Sequence, residues 1–123
     1  MLNRIRGPFN VNMAAQAAGI AALEDVASVD RAREHNDAWR PWLAKELTTL
    51  GLELTPAVAN FVLARFPAPP KDANAAWDFL RAHGILVRKL GVYHLPEHLR
   101  ITIGTEAEMR AVVAALQEFL GKT

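Results

Sequence analysis

Between Val29 and Leu50 apolar residues return at steps of three and four, at Val29, Ala32, Trp39, Leu43, Leu47 and Leu50, with Asn36 the one polar member of the series. That period belongs to an α-helix with a single buried stripe. Ser28 stands as its N-cap and Gly51 as its stop. Upstream, Asn12 can cap a first helix over Met13–Val26, and the alanine bias from Ala14 to Ala22 suggests close helix packing. Pro41 falls inside the second helix and removes a backbone donor, at a cost of about 3 kcal/mol in a helix interior, which predicts a kink or break near Ala38.

Beyond Ala59 the texture changes. Asn60–Phe66 is short, β-branched and aromatic, and closes on Pro67, Pro69 and Pro70, as a strand followed by a turn would. Asp72 can cap a third helix to about Ala82, stopped by Gly84, and Ile85–Arg88 reads as the next strand. Leu99–Ile103 alternates so that Leu99, Ile101 and Ile103 share one face while Arg100 and Thr102 share the other. Thr105-Glu106-Ala107-Glu108 is a capping box opening a last helix, whose apolar face is Met109, Val112, Val113, Leu116, Phe119 and Leu120. The order of two helices, strand, helix, two strands and helix predicts an α/β fold of the α+β kind. A small, mainly antiparallel sheet is covered by helices and preceded by two opening helices, in a single domain over residues 1–123.

Composition narrows the function. With 51% hydrophobic and 22% charged residues the chain is of ordinary globular make-up. Its 14 Lys and Arg against 13 Asp and Glu leave a formal charge of +1, which gives no electrostatic reason to expect nucleic acid or an anionic membrane as partner. The absence of cysteine removes disulfides, thiolate catalysis and cysteine-ligated zinc. The start Met1–Arg6 lacks a signal-peptide core and no apolar run approaches the roughly 20 residues of a membrane span, so a soluble, cytoplasmic protein is expected. His94 and His98 have the spacing of a helical metal pair, but Leu95-Pro96 intervenes and no carboxylate cluster completes a site; an exposed loop without metal is expected. Trp39, Trp42 and Trp77 lie at helical spacings among apolar residues, as core residues do, and no glycine-rich phosphate loop is present.

Three stretches carry a resemblance: Arg6-Gly7-Pro8-Phe9-Asn10-Val11-Asn12, then Pro56–Leu63, then Gly84–Arg88 leading to Leu99-Arg100-Ile101-Thr102-Ile103-Gly104-Thr105. In this order and spacing the chain resembles the C-terminal small domain of histidinol-phosphate aminotransferases, which belong to the aspartate-aminotransferase fold group. The resemblance covers essentially the whole chain. Met13, where the family usually has a small polar residue, Ala57, where serine is common, and Pro41 depart from the pattern.

The resemblance implies a transferase of amino-acid biosynthesis, moving an amino group between glutamate and imidazole-acetol phosphate on the way to histidine. A relative acting on aromatic amino acids, or a phosphothreonine-type decarboxylase, would share most of these residues. Arg100 matches the family's arginine that grips the substrate α-carboxylate, and a guanidinium suits that task because its planar fork meets a carboxylate with two bonds. Arg88 matches a second arginine at the phosphate end of the substrate, and Arg6 is assigned no more than a hold on the domain junction. Read from position alone, Arg100 is a strand arginine paired with a glutamate and Arg88 a surface cation beside Lys89.

The family's cofactor is pyridoxal phosphate, held by a lysine that forms a Schiff base and shuttles the proton. Lys45, Lys71, Lys89 and Lys122 do not sit in the family's Ser/Thr-rich lysine motif, so no cofactor is expected on this chain alone. Met1 then stands where a small domain begins, as in a truncated gene product, a split protein or an expressed piece. The expected partners are a phosphorylated amino-alcohol or amino-acid substrate in the full enzyme and either a missing large domain or a second copy of the chain. The competing expectation is a non-catalytic, self-associating interaction domain derived from an aminotransferase.

Overall fold

The computed structural model describes residues 11–122. Two compact units divide the chain, one ending at Glu34 and the other beginning at His35. The first holds α1 (Met13–Glu24) and the start of α2, which runs from Val26 to Thr49. Asn12 caps α1 as its sequence predicts, its side chain accepting from Ala15 N at 2.9 Å. No residue of α1 is buried.

The cap of α2 differs from expectation. Asp25, not Ser28, does the work: its carboxylate accepts from Ser28 N at 3.0 Å, so the helix starts three residues earlier than Val29. A carboxylate at the positive end of a helix is the stronger acceptor of the two. Pro41 does not break α2, which is continuous through it. Leu43 and Leu47, both completely buried just beyond the proline, bring enough apolar burial to offset one missing backbone bond. The apolar stripe reaches the core only in the second unit, where Trp39 is half-buried and Leu43, Leu47 and Leu50 are buried; Val29 and Ala32 are exposed.

In the second unit four strands form one antiparallel sheet in the order β1-β2-β4-β3, made of β1 (Glu53–Thr55), β2 (Phe61–Arg65), β3 (Arg88–Leu90) and β4 (Leu95–Thr102). β1 has no counterpart in the sequence reading, although Leu52-Glu53-Leu54-Thr55 alternates as a strand should. Val62, Ala64, Phe66, Leu99 and Ile101 from one sheet face share a core with Leu43 and Leu47 of α2, with Ala76 and Leu80 of α3 (Ala73–Ala82), and with Met109, Val112 and Leu116 of α4 (Glu106–Leu120). The other face of the sheet carries Phe61, Leu63 and Arg65 of β2 with His98 and Arg100 of β4.

α3 is bounded as its sequence predicts, with Asp72 accepting from Ala75 N at 2.8 Å and Gly84 at φ +74° beyond its end. Ile85–Val87, expected as strand, is not. Ile85 N donates to Leu80 O at 2.9 Å in closing α3, and Val87 O accepts from the Trp77 indole at 3.1 Å, so these backbone groups are spent before a strand partner can use them. The strand begins at Arg88 instead.

The capping box of α4 forms as read. Thr105 N donates to Glu108 Oε2 at 2.7 Å and Thr105 Oγ1 accepts from Glu108 N at 3.4 Å. A Cβ on Gly104 would lie 2.5 Å from that same Oε2, so a larger residue there would push the returning carboxylate aside. Thr105→Ala is expected to lower unfolding stability by about 1 kcal/mol, measured by urea denaturation. The hydrogen bonds from Thr105 hold the Glu108 carboxyl below its ordinary value of 4.5, backbone first and hydroxyl second. A depressed carboxylate pKa stabilises the fold above the unfolded value. Its contribution is lost as pH falls from about 4.5 through the folded value. Glu108→Gln is therefore expected to flatten the acid limb of stability against pH, followed by circular dichroism.

Candidate functional site

Antiparallel register places Arg88 directly opposite Arg100, with Leu63 opposite Arg100 on its other side. Cross-strand partners share a face, and strict alternation along β4 sets Arg100 and His98 opposite to the buried Leu99 and Ile101. Phe61, Leu63 and Arg65 of β2 join them on this open face by the same register. Two arginines thus occupy directly opposed positions on neighbouring strands, an arrangement of like charges that costs stability unless something negative neutralises it.

The three arginines of the face are not treated alike. Arg65 is neutralised, with Glu53 at 2.9 Å and Glu97 at 3.3 Å, and these carboxylates, Glu53 above all, raise its pKa further. Among the described residues neither Arg88 nor Arg100 makes an ion pair. Arg100 is half-buried, its Nε has no hydrogen-bond partner, and its guanidinium lies 5.2 Å from the centre of the Phe61 ring. Arg88 is exposed and lies 6.0 Å from the centre of the Tyr93 ring. What the pair can do chemically is hold a carboxylate or phosphate, because each fork offers parallel N–H donors and full charge.

Arg88 and Arg100, both expected as substrate contacts, occupy opposed positions on β3 and β4. Arg6 lies outside the described residues. His98, expected in an exposed loop, is instead a half-buried member of β4, and its Nδ1 has no hydrogen-bond partner. His94 stays in the connection, left-handed at φ +60° after the short turn Gly91–Tyr93. Counting back two residues from Arg100 would have put His98 on the open face; Phe61 and Tyr93 carry no such signal. Among the described residues no three His, Asp or Glu side chains are grouped to hold a metal ion, and no helix is long and apolar enough to cross a membrane.

Comparison with known proteins gives this face its setting. The family model "Aminotransferase class I and II" matches residues 1–116. The chain belongs to the class I and II aminotransferases. Histidinol-phosphate aminotransferases of Paramagnetospirillum magneticum and Caulobacter vibrioides are 54% and 52% identical to it over 122 residues, 98% of the chain and 34% of each relative. The chain therefore spans about a third of the length of the curated relatives it matches. Among solved structures, the histidinol-phosphate aminotransferase of Sinorhizobium meliloti in complex with pyridoxal-5'-phosphate superposes with a TM-score of 0.76 at 31% identity, covering 98% of this chain and 33% of that one. The Clostridium acetobutylicum enzyme superposes at 0.78 with 21% identity, covering 99% and 37%, and shows the shared fold.

Class I and II aminotransferases of this kind use pyridoxal phosphate, and the residues present here do not fit it. Lys89 is in register with Leu99, hence on the face away from Arg100, and its ammonium lies 4.3 Å from the centre of the Trp77 ring. Lys71 donates to Phe119 O and sits over the Phe119 ring, on the helical side. Lys45 is on α2 and Lys122 follows α4. No lysine of this aminotransferase segment lies on the arginine face, so nothing on it can form the Schiff base beside a substrate held there.

Proposed function

We propose that this chain is the substrate-gripping segment of a cytoplasmic histidinol-phosphate transaminase, which exchanges an amino group between glutamate and imidazole-acetol phosphate in histidine biosynthesis. The observation that carries the reading is the Arg88–Arg100 cross-strand pair, two cations without a carboxylate partner among the described residues, on the sheet face away from the core. Both substrates are anionic, one through carboxylates and the other through phosphate, and one pair of forks serves both. The names and identities of the relatives support the substrate; the register supports the mode of binding. Inorganic phosphate titrated into the chain is expected to shift the side-chain resonances of Arg88 and Arg100 saturably, and Arg88→Ala/Arg100→Ala is expected to abolish the effect. No saturable shift in the parent chain sinks the reading.

The cofactor, in this view, is held by residues of a longer enzyme and not by these. Incubation with pyridoxal phosphate followed by borohydride is expected to leave no single lysine stoichiometrically labelled in the intact mass. One lysine labelled to completion would overturn that.

A second reading is favoured by α1. Met13, Ile20 and Leu23 are exposed on a helix with no buried residue and no charge before Glu24. A helix apolar on all sides calls for cover. Either a large domain or a second copy supplies it, and for the chain by itself the copy is what is at hand. Sedimentation is expected to show concentration-dependent association, weakened by Leu23→Glu; a clean monomer at high concentration counts against it.

A further inference from the structure

We infer that Phe61 is a positioning residue for the anion grip: its ring fixes the Arg100 guanidinium in the orientation that receives an anion, in place of the acidic partner that orients Arg65. The inference rests on the reading of Arg100 as a substrate contact. Arg65 and Arg100 lie on adjacent strands of one face and are held by opposite means. Arg65 is tied by Glu53 and Glu97, which fix it and also cancel its charge. Arg100 has neither, and its Nε is buried without a hydrogen-bond partner, so no polar bond from the described protein sets where its fork points. The oriented contact it does have is the Phe61 ring, 5.2 Å from the guanidinium carbon.

The register explains how the ring comes to be there. Phe61 pairs with Thr102 and Leu63 with Arg100, so the ring is the diagonal neighbour of Arg100, within reach for an aromatic and a long side chain. An aromatic face attracts a cation without neutralising it, which a carboxylate cannot do. It also limits rotation of the guanidinium. A fork held flat loses less freedom when it closes on a carboxylate or phosphate, and so binds more tightly. Leu63, directly opposite Arg100, keeps the stem of the arginine in apolar surroundings and offers no competing acceptor.

The test uses the whole chain and inorganic phosphate as probe. Phe61→Leu keeps an apolar side chain on the strand and removes the ring; Phe61→Tyr restores an aromatic face. Phosphate affinity, read from the saturable resonance shifts, is expected to fall roughly three- to thirtyfold in Phe61→Leu and to return close to the parent value in Phe61→Tyr. The Arg100 δ-methylene protons are expected to carry an upfield ring-current shift in the parent and in Phe61→Tyr, lost in Phe61→Leu, which a purely structural role for Phe61 would not predict in step with affinity. Backbone spectra of Phe61→Leu show whether the sheet persists; if it does not, Phe61→Met with the same two readouts takes its place. Unchanged affinity in a folded ring-less variant overturns the inference and leaves the anion site standing. Absence of phosphate binding by the parent chain overturns both, and binding that survives loss of Arg100 while responding to Phe61 overturns the link between them.

Discussion

Arg100→Lys, made in a full-length aminotransferase carrying this segment, is expected to lower kcat/KM about ten- to a hundredfold for glutamate and for the phosphorylated substrate alike. A charge-assisted, bidentate contact contributes about 1.5–3 kcal/mol, which is the free energy that separates those rate ratios. Lysine keeps the charge and loses the fork, so the loss reports geometry rather than net charge. Histidinol phosphate has no carboxylate, and so under the proposed function the fork would serve glutamate's carboxylate in one half-reaction and the phosphate in the other. Arg88→Ala is expected to be the narrower lesion, falling mainly on the phosphorylated substrate. Steady-state kinetics with both substrates on both variants decide it. Equal damage by Arg88→Ala to the glutamate half-reaction would remove its phosphate role and the substrate assignment with it.

The largest effect on the fold is expected from Leu116→Ala. Leu116 is completely buried on α4, in one core with Leu80 of α3 and with Leu99 and Ile101 of β4. Truncation leaves a cavity that close-packed neighbours fill only in part, at a cost of about 2–5 kcal/mol. Domains of this size are stable by about 5–15 kcal/mol, so the variant gives up a large share of what holds it folded. Urea midpoint and slope measure it: the midpoint should drop with the slope unchanged. A change under about 1 kcal/mol would mean that α4 is not integral to the core.

Where a local signal has a local cause, the sequence was sufficient. Asn12, Asp72 and the Thr105/Glu108 box cap the helices they precede, because a cap needs only a side-chain oxygen within three residues of a free amide. Alternation from Leu99 to Ile103 set Arg100 away from the core for an equally local reason, the two-residue period of a strand. The choice between Ser28 and Asp25 as cap, and the fate of Ile85–Val87, turned on competition for backbone groups: Asp25 takes the Ser28 amide, and Trp77, ten residues before Val87, takes its carbonyl. The cost of Pro41 is local to the helix, whereas the burial of Leu43 and Leu47 that offsets it is a property of the core.

By itself, then, the sequence determined the four helices, the strands around Phe61–Arg65 and Leu99–Thr102, most caps, the core face of β4 and both arginines as candidates. Tertiary structure decided that Arg88 and Arg100 are neighbours, that Arg65 is neutralised while they are not, and that Phe61 lies against Arg100. The reason is the hairpin register: Arg88 and Arg100 meet only because the β3–β4 connection, with its irregularity at Lys89/Leu90, brings those two positions opposite each other. A slip of one residue would have turned one of the two to the other face.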